Sequence, residues 1–101
     1  MPNTHIEPIT AALVGGTYSV NFTVNSGMTL HSVIAIPNNP INDFVLKITS
    51  PNSNLIFERR SKGRFSSPGA DLPFQIGTYT CEVVGATIIN DTIKIELGFE
   101  M

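Results

Sequence analysis

The chain has 101 residues, of which 42% are hydrophobic and 14% charged, and its formal net charge is −2. A typical domain carries about 25% charged residues, so this is a sparsely charged chain with no overall field for nucleic acid or membrane surfaces. The apolar fraction excludes a disordered chain, the single cysteine excludes a disulfide scaffold, and the short apolar runs exclude a membrane-spanning helix.

Composition chooses sheet over helix. There are 12 Ile, 7 Val and 10 Thr, against 11 Leu and Ala together. Branching at Cβ restricts χ1 in a helical turn and suits a pleated surface. The prolines and all glycines but Gly98 fall between apolar runs, as punctuation for short strands.

In chain order, residues 1–16 carry Pro2 and Pro8 and end at Gly15-Gly16, which predicts a leading arm or a short edge strand around Ala12 to Val14. No basic stretch followed by an apolar one opens the chain, so the expected setting is cytoplasmic or an assembled particle. Thr17 to Val24 alternates Tyr18, Val20, Phe22 and Val24 with Ser19, Asn21 and Thr23, the period of a half-buried strand. After the turn Asn25-Ser26-Gly27, a strand from Met28 to Ile36 becomes apolar on both faces at Val33 to Ile36. That pattern predicts a central position or an oligomer contact. His31 shares its register with Thr29 and Val33, on the face expected to point outward.

Pro37 to Pro40 breaks the pattern, and Phe44 to Thr49 resumes it with Phe44, Leu46 and Ile48 inward. A turn at Pro51 to Asn54 leads to Leu55 to Arg59, with Leu55 and Phe57 on the core side. Ser61 to Pro73 is expected to be a polar connection. The strand Thr78 to Val84 follows, then a short run Thr87 to Ile89. A last strand, opened by Asn90-Asp91, alternates Ile93, Ile95, Leu97 and Phe99 with polar residues. Seven or eight short strands separated by regular turn signals predict one all-β domain over residues 1–101: an antiparallel β-sandwich of Greek-key or jelly-roll type, with a small closed barrel as the competitor.

Gly77-Thr78-Tyr79-Thr80-Cys81 resembles the tyrosine-corner segment of immunoglobulin-like domains, although the chain has no second cysteine and no tryptophan. Asp43-Phe44-Val45-Leu46, Ser50-Pro51-Asn52, Leu55-Ile56-Phe57 and Gly77-Thr78-Tyr79 together look like the bacterial pre-peptidase C-terminal domain and the related convertase P-domain. Those resemblances imply a sandwich, and the latter implies a non-catalytic accessory module attached to a secreted enzyme.

Catalysis needs a nucleophile beside a base, and no local motif places Ser or Cys beside His5 or His31. Cys81 shares its face with Tyr79 and Val83, as a buried apolar residue would. Asp43, Asp71 and Asp91 lie near Asn38, Asn39, Asn42 and Asn90 in loops, where such side chains either bind calcium or cap turns; turn-capping is the expectation. No catalytic residue, metal or cofactor is expected.

The sharpest feature is Arg59-Arg60-Ser61-Lys62-Gly63-Arg64, which holds four of the six basic residues. Arg59, Arg60, Lys62 and Arg64, with Phe65 beside them, form the candidate partner-binding set, placed where a strand gives way to a loop. It would suit an acidic partner or glycan, nucleic acid being disfavoured by the acidic remainder. The functional expectation is a non-enzymatic structural or interaction protein that docks onto a larger assembly, of virion or surface-appendage type, by a protein contact or self-assembly. The alternatives are a carbohydrate- or other ligand-binding accessory module, and a small adaptor or inhibitor using residues 59–64.

Overall fold

The computed structural model describes residues 4–100, and for 68–70 the backbone alone. Among these residues are eight strands and no helix: β1 (Thr4–Ala12), β2 (Tyr18–Val24), β3 (Met28–Pro37), β4 (Asp43–Thr49), β5 (Leu55–Lys62), β6 (Phe65–Phe74), β7 (Gly77–Val84) and β8 (Thr92–Glu100).

The pairings nest. β4 pairs with β5, β3 with β6, β2 with β7 and β1 with β8, all antiparallel, so the chain is one long two-stranded ribbon with its tip at the β4–β5 turn. Folding the ribbon back adds the β3–β8 and β4–β7 pairs. Two four-stranded sheets result, ordered β1-β8-β3-β6 and β2-β7-β4-β5. This is the double Greek-key order of a jelly roll, and the sheets stay open, so the molecule is a sandwich and not a barrel.

Alternation drives the packing. Phe44, Leu46 and Ile48 of β4 and Tyr79, Cys81 and Val83 of β7 meet Ile93, Ile95, Leu97 and Phe99 of β8 in one core. Phe74 lies 4.4 Å from Tyr79 and 5.1 Å from Phe99, ring centre to ring centre, and closes one end with Phe22. The Tyr79 hydroxyl accepts from the Gln75 N–H (2.9 Å) and donates to the Gln75 carbonyl (3.0 Å), pinning the turn between β6 and β7. The segment expected to form a tyrosine corner thus holds its own turn, and the sheet order around it is that of a jelly roll.

Several expectations need correction. β1 runs over Thr4–Ala12, earlier and longer than the short strand expected around Ala12 to Val14. β5 continues to Lys62, and β6 occupies most of the expected polar connection. Both β1 and β6 are edge strands containing proline, Pro8 in one and Pro68 and Pro73 in the other. An edge strand tolerates a missing N–H that a central strand needs. Leu55 is exposed because pairing shifts after Ile48, which sets Thr49 opposite Leu55 and turns Ile56 and Phe57 toward the core.

β3 is central, between β8 and β6, as its doubly apolar stretch predicted. A bulge between Leu30 and Ser32 changes its parity. Leu30 and Val33 are both buried while His31 stays exposed, so Val33 does not share the outward face. The same bulge brings Ser32 across Gly98 of β8, where a Cβ would collide with Ser32 Oγ. A side chain at position 98 would require Ser32 Oγ to turn away.

Candidate functional site

Strand alternation divides the basic cluster. Arg59 lies opposite the buried Leu46, on the inner side of edge strand β5, and its guanidinium carbon sits 4.7 Å from the centre of the Phe65 ring. Phe65 is buried and packs near Phe44, with ring centres 6.3 Å apart. Arg59 thus covers the core where β5 and β6 flank the sandwich edge, held by the ring's negative face and by its own aliphatic stem. Phe65, expected in the partner-binding set, lies buried beneath that cover.

Arg60 points the other way. Its Nε and Nη2 donate to Asp43 Oδ1 (3.2 Å) and Oδ2 (3.1 Å) as a fork. The hydrogen bond and charge of Arg60, aided by the charge of Lys62, hold the Asp43 carboxyl below its usual range, and Asp43 raises Arg60. Lys47 pairs with Glu58 at 3.6 Å on the adjoining strands. Lys62 and Arg64 are exposed, Lys62 opposite Asp43 and Arg64 just past the turn at Gly63. The five residues therefore do not form one surface: Arg59 and Phe65 come together, and Arg60 lies across the sheet, neutralised.

The loops at one end of the sandwich carry a feature the basic cluster had overshadowed. Asn42, fully buried in the β3–β4 loop, donates from Nδ2 to Asp91 Oδ2 (3.0 Å) and to the Ile88 carbonyl (3.2 Å) in the β7–β8 loop. Its Oδ1 accepts from the Ile88 N–H at 3.1 Å. Asp91 also accepts from the N–H groups of Asn39 (3.1 Å) and Thr92 (2.8 Å). Burial disfavours the Asp91 charge, but these three hydrogen bonds, that of Asn42 foremost, outweigh it and leave the carboxyl below its usual range.

The neighbouring turns join this hub. The β1–β2 turn is tied to the β7–β8 loop by Leu13 N–H to Asp91 O, Gly16 N–H to Ile89 O and Ala86 N–H to Gly16 O. The β5–β6 turn is tied in by Gly63 N–H to Asn42 O at 2.8 Å. Gly63 has φ 80, and a Cβ there would lie 2.6 Å from the Pro40 carbonyl oxygen, so the approach needs glycine. Asn42 and Asp91 belong to the loop residues whose type suits calcium binding or turn capping. Their oxygens are engaged by loop donors, which is the turn-capping role.

On this braced end, residues 13–17, 38–42 and 85–90 contain no charged side chain. They present Val14, Ile41 and Ile89 at 78%, 63% and 51% exposure. The signal for this was in the sequence as three uncharged loops each holding an aliphatic residue, but nothing local said that the loops meet.

Elsewhere, Cys81 is buried, and burial together with the charge of Glu82 pushes its thiol up to about 12, so the nucleophilic thiolate is scarce at neutral pH. His31 Nδ1 lies 3.8 Å from Asp71 Oδ1 and 3.9 Å from Glu100 Oε1, all three exposed. Among the described residues no three His, Cys, Asp or Glu side chains are grouped to hold a metal ion. Among the described residues no helix is long and apolar enough to cross a membrane.

No family model matches the chain, and no curated protein matches it. Among solved structures it is similar to the dimeric latent PorU from Porphyromonas gingivalis, at 13% identity and a TM-score of 0.45. The match covers 98% of this chain and 13% of that one.

Proposed function

We propose that this protein is a non-enzymatic interaction module that docks onto a larger protein assembly, such as a particle or surface appendage, through the loop end of its sandwich. The observation that supports this reading is the display of Val14, Ile41 and Ile89 on loops braced by the buried Asn42–Asp91 pair. Exposed aliphatic side chains on a floppy loop would collapse or rearrange. Here the backbone around them is fixed by hydrogen bonds, so the apolar groups stay presented and little ordering entropy is lost on binding. The three loops are uncharged and the adjoining β5–β6 turn carries the exposed Lys62 and Arg64, so the fitting partner surface is apolar opposite the three loops and acidic at that rim.

A glycan-binding role gains less support. Phe65 and Phe74 are buried and Tyr18 packs against the core, so the aromatic platforms that sugars stack on are not presented. The basic-loop reading loses ground for the reasons given above: Arg60 is matched by Asp43 and Arg59 covers Phe65.

The test is cross-linking mass spectrometry on large complexes isolated from the native source, with a photoactivated diazirine reagent that inserts into any C–H because these loops carry no amine or carboxylate, comparing wild type with Val14→Asp/Ile41→Asp/Ile89→Asp. The expected result is cross-links centred on residues 13–17, 38–42 and 85–90, and loss of co-fractionation in the triple variant. A wild-type protein that fractionates free of any assembly overturns the reading.

A further inference from the structure

The four edge strands are not equally protected. An open edge exposes a row of unpaired N–H and C=O groups, and proteins blunt such edges with charge, proline or bulges. β1 carries Glu7 and Pro8, β5 carries Glu58, Arg59, Arg60 and Lys62, and β6 carries Pro68, Asp71 and Pro73. β2, Tyr-Ser-Val-Asn-Phe-Thr-Val over seven residues, has no charge, no proline and no bulge in its pairing with β7. Among the described residues no loop backbone group hydrogen-bonds to Tyr18–Val24, and Ser19, Asn21 and Thr23 are exposed. Alternate residues of β2 therefore turn their backbone groups away from β7 with no backbone partner among the described residues.

We propose that β2 is a self-association edge, on which a second copy of this chain pairs antiparallel through its own β2, with Asn21 on the two-fold axis. The strand is self-complementary in that register. Tyr18 meets Val24, Val20 meets Phe22, Ser19 meets Thr23, and Asn21 meets Asn21 of the second copy. The Tyr18–Val24, Val20–Phe22 and Ser19–Thr23 pairs are aromatic with β-branched or hydroxyl with hydroxyl, combinations that stabilise antiparallel strands, and no like charges oppose; the Asn21 amide, whose Oδ1 accepts from Thr80 Oγ1 at 2.9 Å, keeps its Nδ2 free for the axis. The two-fold makes the contact isologous and closed, so it ends at a dimer and not a fibre. It joins the two β2-β7-β4-β5 sheets into one continuous sheet across the pair. One strand pair is a small interface beside the roughly 1,000 Å² of a firmly held complex, so the dimer is reversible and concentration-dependent.

This deepens the reading of the protein as a component of an assembly, and uses a different surface from the loop end. Sedimentation velocity of the full chain over a dilution series tests it. Wild type is expected to move from monomer to dimer with concentration. Asn21→Lys sets two ammonium groups against each other on the axis and is expected to remain monomeric, while Ser66→Lys, the same charge change on the far edge β6, dimerises as wild type does. Asn21→Cys gives a second measurement. Directly opposed residues lie about 4.5–5.5 Å apart at Cα, within disulfide reach, so mild oxidation is expected to give a covalent dimer that Ser66→Cys does not.

A wild type that stays monomeric at its highest soluble concentration overturns the proposal. So does an Asn21→Lys variant that dimerises normally, or an Asn21→Cys variant that cross-links no faster than Ser66→Cys. A monomer whose loop end still cross-links to a larger complex would fail this inference alone; a dimer with a free loop end would fail only the docking reading.

Discussion

Asn42 and Asp91, 49 residues apart in the chain, meet through an Nδ2–Oδ2 hydrogen bond of 3.0 Å between two loops, and both side chains are buried. Removing one partner leaves the other's polar atoms without water. Asn42→Ala is expected to lower unfolding free energy by about 2–4 kcal/mol, since a buried group left unsatisfied costs about 1–3 kcal/mol and the Ile88 N–H and carbonyl both lose their partner, while Asp91 Oδ2 keeps only the Asn39 N–H. Urea unfolding measures the loss, and faster amide exchange at Asn39 and Ile88 locates it.

Acid should weaken the fold through two carboxyls. Asp43, under the hydrogen bond and charge of Arg60, and Asp91, under three hydrogen bonds that outweigh its burial, both titrate below the ordinary value of 3.8. The unfolded chain therefore binds more protons than the native one in acid. Their stabilisation is fully present above the unfolded value and is lost as pH falls from there through the native ones. Urea midpoints recorded at low salt between about pH 5 and 2 should fall for wild type and fall less steeply for Asp43→Asn, a difference that moderate salt removes by screening the exposed pair. Midpoints flat across that range would contradict both assignments.

Cys81 should be silent toward thiol reagents in the native protein. Its side chain is buried and its thiol is pushed up to about 12, so modification waits on unfolding. The release of a chromogenic thiol-exchange reagent is expected to be absent in buffer and complete in denaturant. Rapid native labelling would show an opening of the β2–β7–β4 region.

Arg59 and Arg60 are sequence neighbours with different expected costs. Arg59→Ala uncovers Phe65 and is expected to destabilise by about 0.5–1 kcal/mol, the range for a cation over an aromatic face. Arg60→Ala removes an exposed pair with Asp43, and its melting temperature should match wild type at moderate salt. Thermal denaturation of the two variants side by side decides between a covering role and a surface-charge role for each.

The strands with clean alternation were legible in the sequence: β2, β4, β7 and β8 stand close to where period 2 placed them. β1 and β6 were not, and the reason is shared. Proline reads as a break, yet at an edge its missing N–H can face solvent, so Pro8, Pro68 and Pro73 sit inside strands. His31 and Val33 were assigned one face because periodicity has no way to register a bulge, which comes from how β3 lies across its neighbours. The basic run was visible as composition but not as geometry. Extending β5 by three residues turned a loop cluster into two opposite faces. The Asn42–Asp91 hub joins loops from different halves of the ribbon, and only the folded topology brings them together.

Nested pairing also sets an order of folding. The β4–β5 turn closes a short loop, whereas β1 and β8 lie at opposite ends of the ribbon. Closing a loop costs entropy that grows with its length, and such non-local pairings slow β-proteins. Once the tip has formed, however, each outer pair closes only the short segments left between it and the pair inside. Assembly should therefore run from tip to base, with β1–β8 last, and pulse-labelled amides should gain protection at Val45–Ile48 before Ile93–Leu97. An early burst of protection in β8 would show that the chain collapses sheet by sheet instead.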